Sequence, residues 1–388
     1  MVNAGTGANS GLQPYEAGRQ AAGIAARDVS EPKIAFVYSS ADYDVTEVVR
    51  GVTRALPGTP VIGNTSFTGV ITPDGFVGGD AGFVGVLVLG GADIDVAVAG
   101  GPRGADPRET GIQVARQALV AAGRTRSPDY FHMVASPGEE EFFLKGVQDV
   151  IGRVPVFGGS AADNTISGDW KLFTADGAYS DGLAVAFFYS DRPFANLFTG
   201  AYRETGDVGV ITKVAGNRRL VEIDHVPAIT KYAQWAGLDP GSLGGQALLV
   251  AAITSPLGVK DRLGDLVAIR HPMNGNADGS MDVGSNLAQN TAVIRMEASV
   301  DELIEAADAT LLGLRKRLPV DAVAYHLVHC GGRRAGIGDR IGEVADRIIA
   351  QAGAVPFIVE FTFGEYGYED DGNNTCGGLM LSFTAFGH

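Results

Sequence analysis

The sequence predicts an α/β protein of two domains, and three observations predict it. Nearly all-apolar strands alternate with amphipathic helices, which implies sheets covered by helices. One strand–helix–strand pattern occurs twice in the amino-terminal half, about ninety-five residues apart. Near residue 200 the pattern changes. The N-terminal half therefore reads as a tandem duplication of strand-helix-strand units, and the C-terminal half as a mixed sheet with covering helices. The length of 388 residues suits this division, being more than one ordinary domain needs.

In the first copy, KIAFVYSS (33–40) is an apolar strand ending in hydroxyl residues. A helix follows with Val45, Val48, Val49, Val52 and Leu56 at helical spacing. PVIGNTS (60–66) then makes a short strand and a glycine turn, and FVGVLVLGG (83–91) a further strand. The second copy runs YFHMVASP (130–137), a helix with Phe143, Val147, Val150 and Ile151, PVFGGSA (155–161), and GLAVAFFY (182–189). Asp106-Pro107 opens the helix that bridges the copies and Gly123 closes it; Ser136 to Glu139 has the form of a capping box.

The C-terminal half begins with a hairpin around Gly216-Asn217, then a helix after Pro227 closed by Gly237. Segments 265–273 and 290–297 read as strands. Ser299 and Glu302 form a capping box whose helix stops at Pro319. AVAYHLVHC (322–330) is a buried strand, and a helix with Ile341, Val344, Ile348 and Ile349 follows. Segments 355–367 and 378–386 close the chain as an expected hairpin that resembles the 265–297 pair.

Composition narrows the function classes. Hydrophobic residues at 45% and charged residues at 19% are globular values. The net charge of −15, without a basic cluster beyond Arg315-Lys316-Arg317, argues against nucleic acid and anionic membranes. The longest apolar stretch, 82–101, contains Asp93 and Asp95, so no membrane insertion is expected. No signal peptide is visible and two cysteines make no disulfide framework, which points to a cytoplasmic protein. The 55 glycines, lacking a Gly-X-Y period, belong to turns and close backbone approaches.

Five segments together carry a family resemblance: the PVIGNTS/PVFGGSA turns, GNRRLVEIDHVPAITKYAQW (216–235), RHPM (270–273), HCGGRR (329–334) and FTFGEYG (361–367). In this order they resemble a FIST N-terminal domain followed by a FIST C-terminal domain, over about residues 30–386. The expected division is an extension at 1–29, a FIST N-like domain at 30–205 and a FIST C-like domain at 206–388. The resemblance implies a sensory domain for signal transduction that binds a small ligand such as an amino acid; some members are proposed to sense nitric oxide through haem. No kinase, cyclase or transcription-factor segment accompanies it here, so the expected output passes through a separate signalling partner.

The ligand-binding candidates are Asn64, Thr65, Ser66, Gly159 and Ser160 at the repeated strand-end turns, with Arg333 for a carboxylate and Glu365 for an ammonium. The same turns serve equally as ordinary turn chemistry. Cys330, at a strand end before two glycines and two arginines, is the candidate nucleophile if the chain is an enzyme, a hydrolase or acyl transferase; the balance leans away from an enzyme. His326 and His329 face opposite sides of their strand, and His132 reads as a core residue. No cofactor is called for by any motif. For a non-covalent haem the candidate ligands are His225 and His271. No metal constellation emerges, and the EDDG run at 369–372 lacks the spacing of a calcium loop.

Overall fold

The computed structural model describes residues 1–260, 266–369 and 374–388. The EDDG run falls almost wholly outside them. Within them the duplication is present, and a third copy extends it.

Each unit has the same wiring. Two parallel strands are joined through a helix, and a third strand runs antiparallel to the first of them. The parallel pairs are Pro32–Ser39 with Val61–Thr65, Tyr130–Ala135 with Val156–Ser160, and Ala322–Cys330 with Phe357–Thr362. Phe83–Gly90, Gly182–Tyr189 and Leu381–Gly387 are the antiparallel partners. Edge strands Asn3–Ser10, Asp95–Pro102 and Phe194–Thr199 complete the units on one side. The first thirty residues are thus an edge strand and a helix, Pro14–Ala25, of the first unit.

The other side of each sheet is closed by a neighbour. After its second parallel strand every unit sends out a hairpin, and the hairpins are exchanged in a cycle. Gly69–Thr72 of the first unit pairs with the third, Leu172–Thr174 of the second with the first, and Glu365–Tyr368 of the third with the second. The registers agree: Val70 lies opposite Glu360, Leu172 opposite Asn64 and Glu365 opposite Gly159. The exchange covers an edge that would otherwise offer unpaired N–H and C=O groups. It also splits the expected closing hairpin. Segment 355–367 turns at Phe363-Gly364 and changes sheets, and the last strand joins Ala322–Cys330 instead.

The inner faces of the three sheets meet in one core that draws on all units, including Phe36, Tyr38, Tyr130, Phe157, Phe188, Ile358 and Phe386. On the pseudo-three-fold axis the equivalent residues Phe36, His132 and His326 face one another, their ring centres 5.1, 4.9 and 5.1 Å apart. Each outer face is covered by its own pair of helices. In the first unit these helices cross on Gly18 and Gly51, where a Cβ would sit 2.3 and 2.0 Å from backbone oxygens of the opposite helix; Gly111 and Gly146 do the same in the second.

The cap at Asp106, the capping box of Ser299 and Glu302, and the left-handed closures at Gly123 and Gly237 stand as the sequence predicts. The box at Ser136 does not form. Ser136 Oγ donates to Asp181 at 2.6 Å instead, and the helix starts at Glu140. Only the third unit carries an insertion between its edge strand and first helix. Residues 203–260 and 266–297 fold there into a separate antiparallel sheet, with helices Ala228–Ala236 and Ala247–Ala252 packed on it. The strands read at 265–273 and 290–297 do not pair with each other; Leu257–Lys260 lies between them.

Candidate functional site

The ends of the parallel strands converge where the inserted sheet docks, and a cavity of about 270 Å³ lies in the seam. The three-unit body supplies Phe67, Pro137, Gly138, Glu140, Trp170, Cys330, Gly331, Gly332 and Phe363, and the insertion supplies Arg218, Leu249, His271, Met273 and Gly284. Strand ends of an α/β sheet are a common place for a ligand, because glycine turns expose backbone groups there.

One ion cluster stands in the wall. Glu140, buried at the start of its helix, takes a hydrogen bond from Arg218 Nη2 at 2.5 Å, and Glu141 takes another at 2.6 Å. Gly138 N–H and Ser160 Oγ also donate to Glu140, at 2.9 and 3.0 Å. Ser160 is 2.7 Å from the Tyr366 hydroxyl, and Asn286 N–H donates to Glu141 at 2.7 Å. The network therefore ties the second unit, the exchanged hairpin of the third and the insertion together. Burial pushes the Glu140 carboxyl up while Arg218 opposes the push. Two carboxyl groups thus share one guanidinium.

Cys330 ends its strand at the position held by Ser40 and Ser136 in the other units. Their amides donate to equivalent carbonyls, those of Met380, Phe83 and Gly182. The Cys330 sulfur accepts N–H bonds from Gly332 at 3.3 Å and Leu379 at 3.2 Å. Burial, with Glu365 beside it, still pushes the thiol far above its ordinary range. Glu365 is itself raised to about 8 by burial, against hydrogen bonds from Met380 N–H and Thr362.

Two family models match in succession: the FIST N domain over residues 33–226 and the FIST C domain over 228–368. The chain belongs to the FIST family. The FIST N match covers the second unit and the first without its edge strand and first helix, and reaches into the insertion; the FIST C match covers the rest of the insertion and most of the third unit. No curated protein matches the sequence significantly. Among solved structures, phosphoribosylformylglycinamidine synthase II of Thermotoga maritima is 11% identical, over 99% of this chain and 72% of that one, with a TM-score of 0.24. Thiamine monophosphate kinase of Aquifex aeolicus is 13% identical, over 49% and 86%, with a TM-score of 0.18. Likenesses at this level carry no argument about this FIST protein.

Of the residues singled out in the sequence, Cys330 and His271 line the cavity, and Ser160 reaches it through Glu140. Asn64 is buried near the axis and donates to Glu360 at 3.0 Å. Thr65 accepts from Lys171 N–H, and Ser66 Oγ donates to the Gly69 carbonyl. Gly159 pairs with Glu365. The Arg333 guanidinium, wholly buried, donates to the carbonyls of Gly200 at 2.7 Å and Leu303 at 3.1 Å. Glu140 and Arg218 were not singled out, although Arg218 lies in the quoted GNRR segment and Glu140 follows a strand-end Pro-Gly.

A haem does not fit the proposed histidines. His271 Nε2 is engaged by the Leu249 carbonyl at 3.0 Å. The cavity's basic group, Arg218, is already held by two glutamates, leaving nothing for propionates. His225 is exposed on a hairpin turn with φ 62°. Among the described residues no helix is long and apolar enough to cross a membrane.

Proposed function

We propose that this FIST protein is a cytoplasmic sensor, that its ligand is a small amino-acid-like metabolite bound in the cavity between body and insertion, and that the signal passes to a separate partner protein. One observation carries the reading: the cavity is walled by both FIST domains, so an occupant contacts each and biases their docking. The Glu140 carboxyl in the lining, with Glu141 behind it, suits an ammonium, and Trp170, Phe67, Phe363 and Met273 suit an apolar body. The domain boundaries 1–29, 30–205 and 206–388 remain part of this proposal.

Thermal-shift screening of amino acids and related amines tests it. A ligand at a hundred times its Kd adds about 2.7 kcal/mol of stability. Gly284→Leu places a side chain toward the cavity from a position with ordinary clearance, and removes that shift while leaving the unliganded Tm nearly unchanged. A panel in which no member stabilises the wild type at millimolar concentration ends the sensor reading.

A second reading, an enzyme using Cys330, rests on that thiol lining the cavity. Its raised pKa opposes it, since the thiolate is the nucleophile. Iodoacetamide decides: alkylation of Cys330 slower than that of free cysteine at neutral pH supports the sensor, and faster alkylation supports the enzyme.

A further inference from the structure

We propose that a divalent transition ion, zinc foremost, is held on the pseudo-three-fold axis by His132, His326 and Glu360. The second unit supplies one of these ligands and the third unit two, and all are fully buried. One donor atom from each already lies within 4.8 Å of the others.

The geometry leaves donors without work. Both ring nitrogens of His132, Nδ1 of His326 and Oε1 of Glu360 have no hydrogen-bond partner among the described residues. A buried polar group left unsatisfied gives up its hydration with nothing in return. The first unit shows that the position does not require one, because Phe36 occupies the place equivalent to His132 and His326. Two histidines set at such a point, with a carboxylate beside them, form an N/N/O donor set that zinc accepts. A bound ion takes the place of the proton on Glu360, since only a carboxylate and neutral imidazoles ligate.

Outer partners are in place as well. The Tyr38 hydroxyl contacts His326 Nε2, which leaves Nδ1 of that ring free, and Asn64 Nδ2 holds Oε2 of Glu360 at 3.0 Å. Zn–N bonds of about 2.0–2.1 Å require the donors to draw closer than their present spread. Full burial means that the ion enters before the three sheets close, so its role is to staple units rather than to meet substrate.

The test uses the full chain, free of any histidine tag, expressed in zinc-supplemented medium and analysed by plasma mass spectrometry. A second sample is refolded with cobalt(II) as a spectroscopic stand-in for zinc. The expected result is stoichiometric zinc in the first, and d–d absorption of a low-coordinate cobalt site in the second. His132→Phe, which copies the first unit, keeps the circular dichroism of the wild type and loses the metal; Glu360→Gln also loses it. Wild type without stoichiometric metal in the zinc-grown sample overturns the proposal, and so does a His132→Phe protein that retains it. The cavity's ligand response is a separate readout, so this site and the sensor reading stand or fall independently.

Discussion

In the first unit the edge strand Asn3–Ser10 passes through a short turn into its helix Pro14–Ala25. In the third, the equivalent step from Phe194–Thr199 to Val300–Arg317 passes through an entire extra sheet. The strands that follow keep the same order and register in both. Repetition therefore builds the scaffold, and the insertion builds about a third of the cavity wall. A second contrast lies deeper. Where the first unit has Phe36 and Asn64, the third has His326 and Glu360, so the third carries most of the ionisable groups in the core.

The strongest way to break the first contrast is to cut the insertion loose from the body. Arg218→Ala leaves Glu140 buried and uncompensated, and a broken buried pair costs about 3–5 kcal/mol. Urea unfolding at neutral pH should show that loss, and Glu140→Gln in the same chain should restore part of it. If Arg218→Ala unfolds like the wild type, the insertion is not anchored through this cluster.

Next in size is a test of the scaffold itself. Gly63 and its counterpart Gly158 sit where a Cβ would lie 1.9 and 2.0 Å from backbone oxygens of Val37 and Met133, whereas the third unit has Val359 there. Gly63→Ala is expected to cost about 1–3 kcal/mol through overpacking. A neutral result would mean that the first sheet can adopt the geometry of the third.

The smallest effect per step comes from pH in the metal-free protein, and it sharpens the second contrast. His326 and His329 are lowered to about 3 and His271 to about 4 by burial, from 6.5. The stability these neutral rings contribute is present above 6.5 and drains as pH falls toward their folded values. Glu360 and Glu365 are raised to about 8 by burial, from 4.5. Their contribution is complete below 4.5 and is lost as pH rises through 8. The two sets oppose each other between 4.5 and 6.5, where the histidines outnumber the glutamates, so the urea midpoint should peak near pH 6.5. Each uncompensated proton contributes about 1.4 kcal/mol per pH unit. A midpoint still climbing from 6.5 to 8.5 would show that the glutamates are not held protonated.

Much of the fold was legible because local signals carried it. KIAFVYSS and YFHMVASP announce buried strands, and Asp106, Gly123, Gly237 and Ser299 announce helix ends. The third copy was harder to see. Val359 and Glu360 replace the Gly-Asn that marks the first copy's turn, and the insertion displaces its helix from its edge strand. Ser136 resembled a helix cap, but the nearby Asp181 competed for its hydroxyl. Cys330 stood out as a strand-end thiol, while Glu140 sat unremarked in an acidic run, since nothing local indicates that a distant hairpin brings Arg218 to it.

The sequence alone determined the alternation of strands and helices, the first duplication and the family, because these rest on periodicity, capping and short motifs within a few residues of one another. The tertiary structure decided the cyclic exchange of hairpins, the meeting of Phe36, His132 and His326 on an axis, and the cavity between body and insertion. Each of those joins residues far apart in the chain; even Glu140 and Arg218 are 78 positions apart. Their contact depends on how three twisted sheets bury a common face, which no window of sequence encodes.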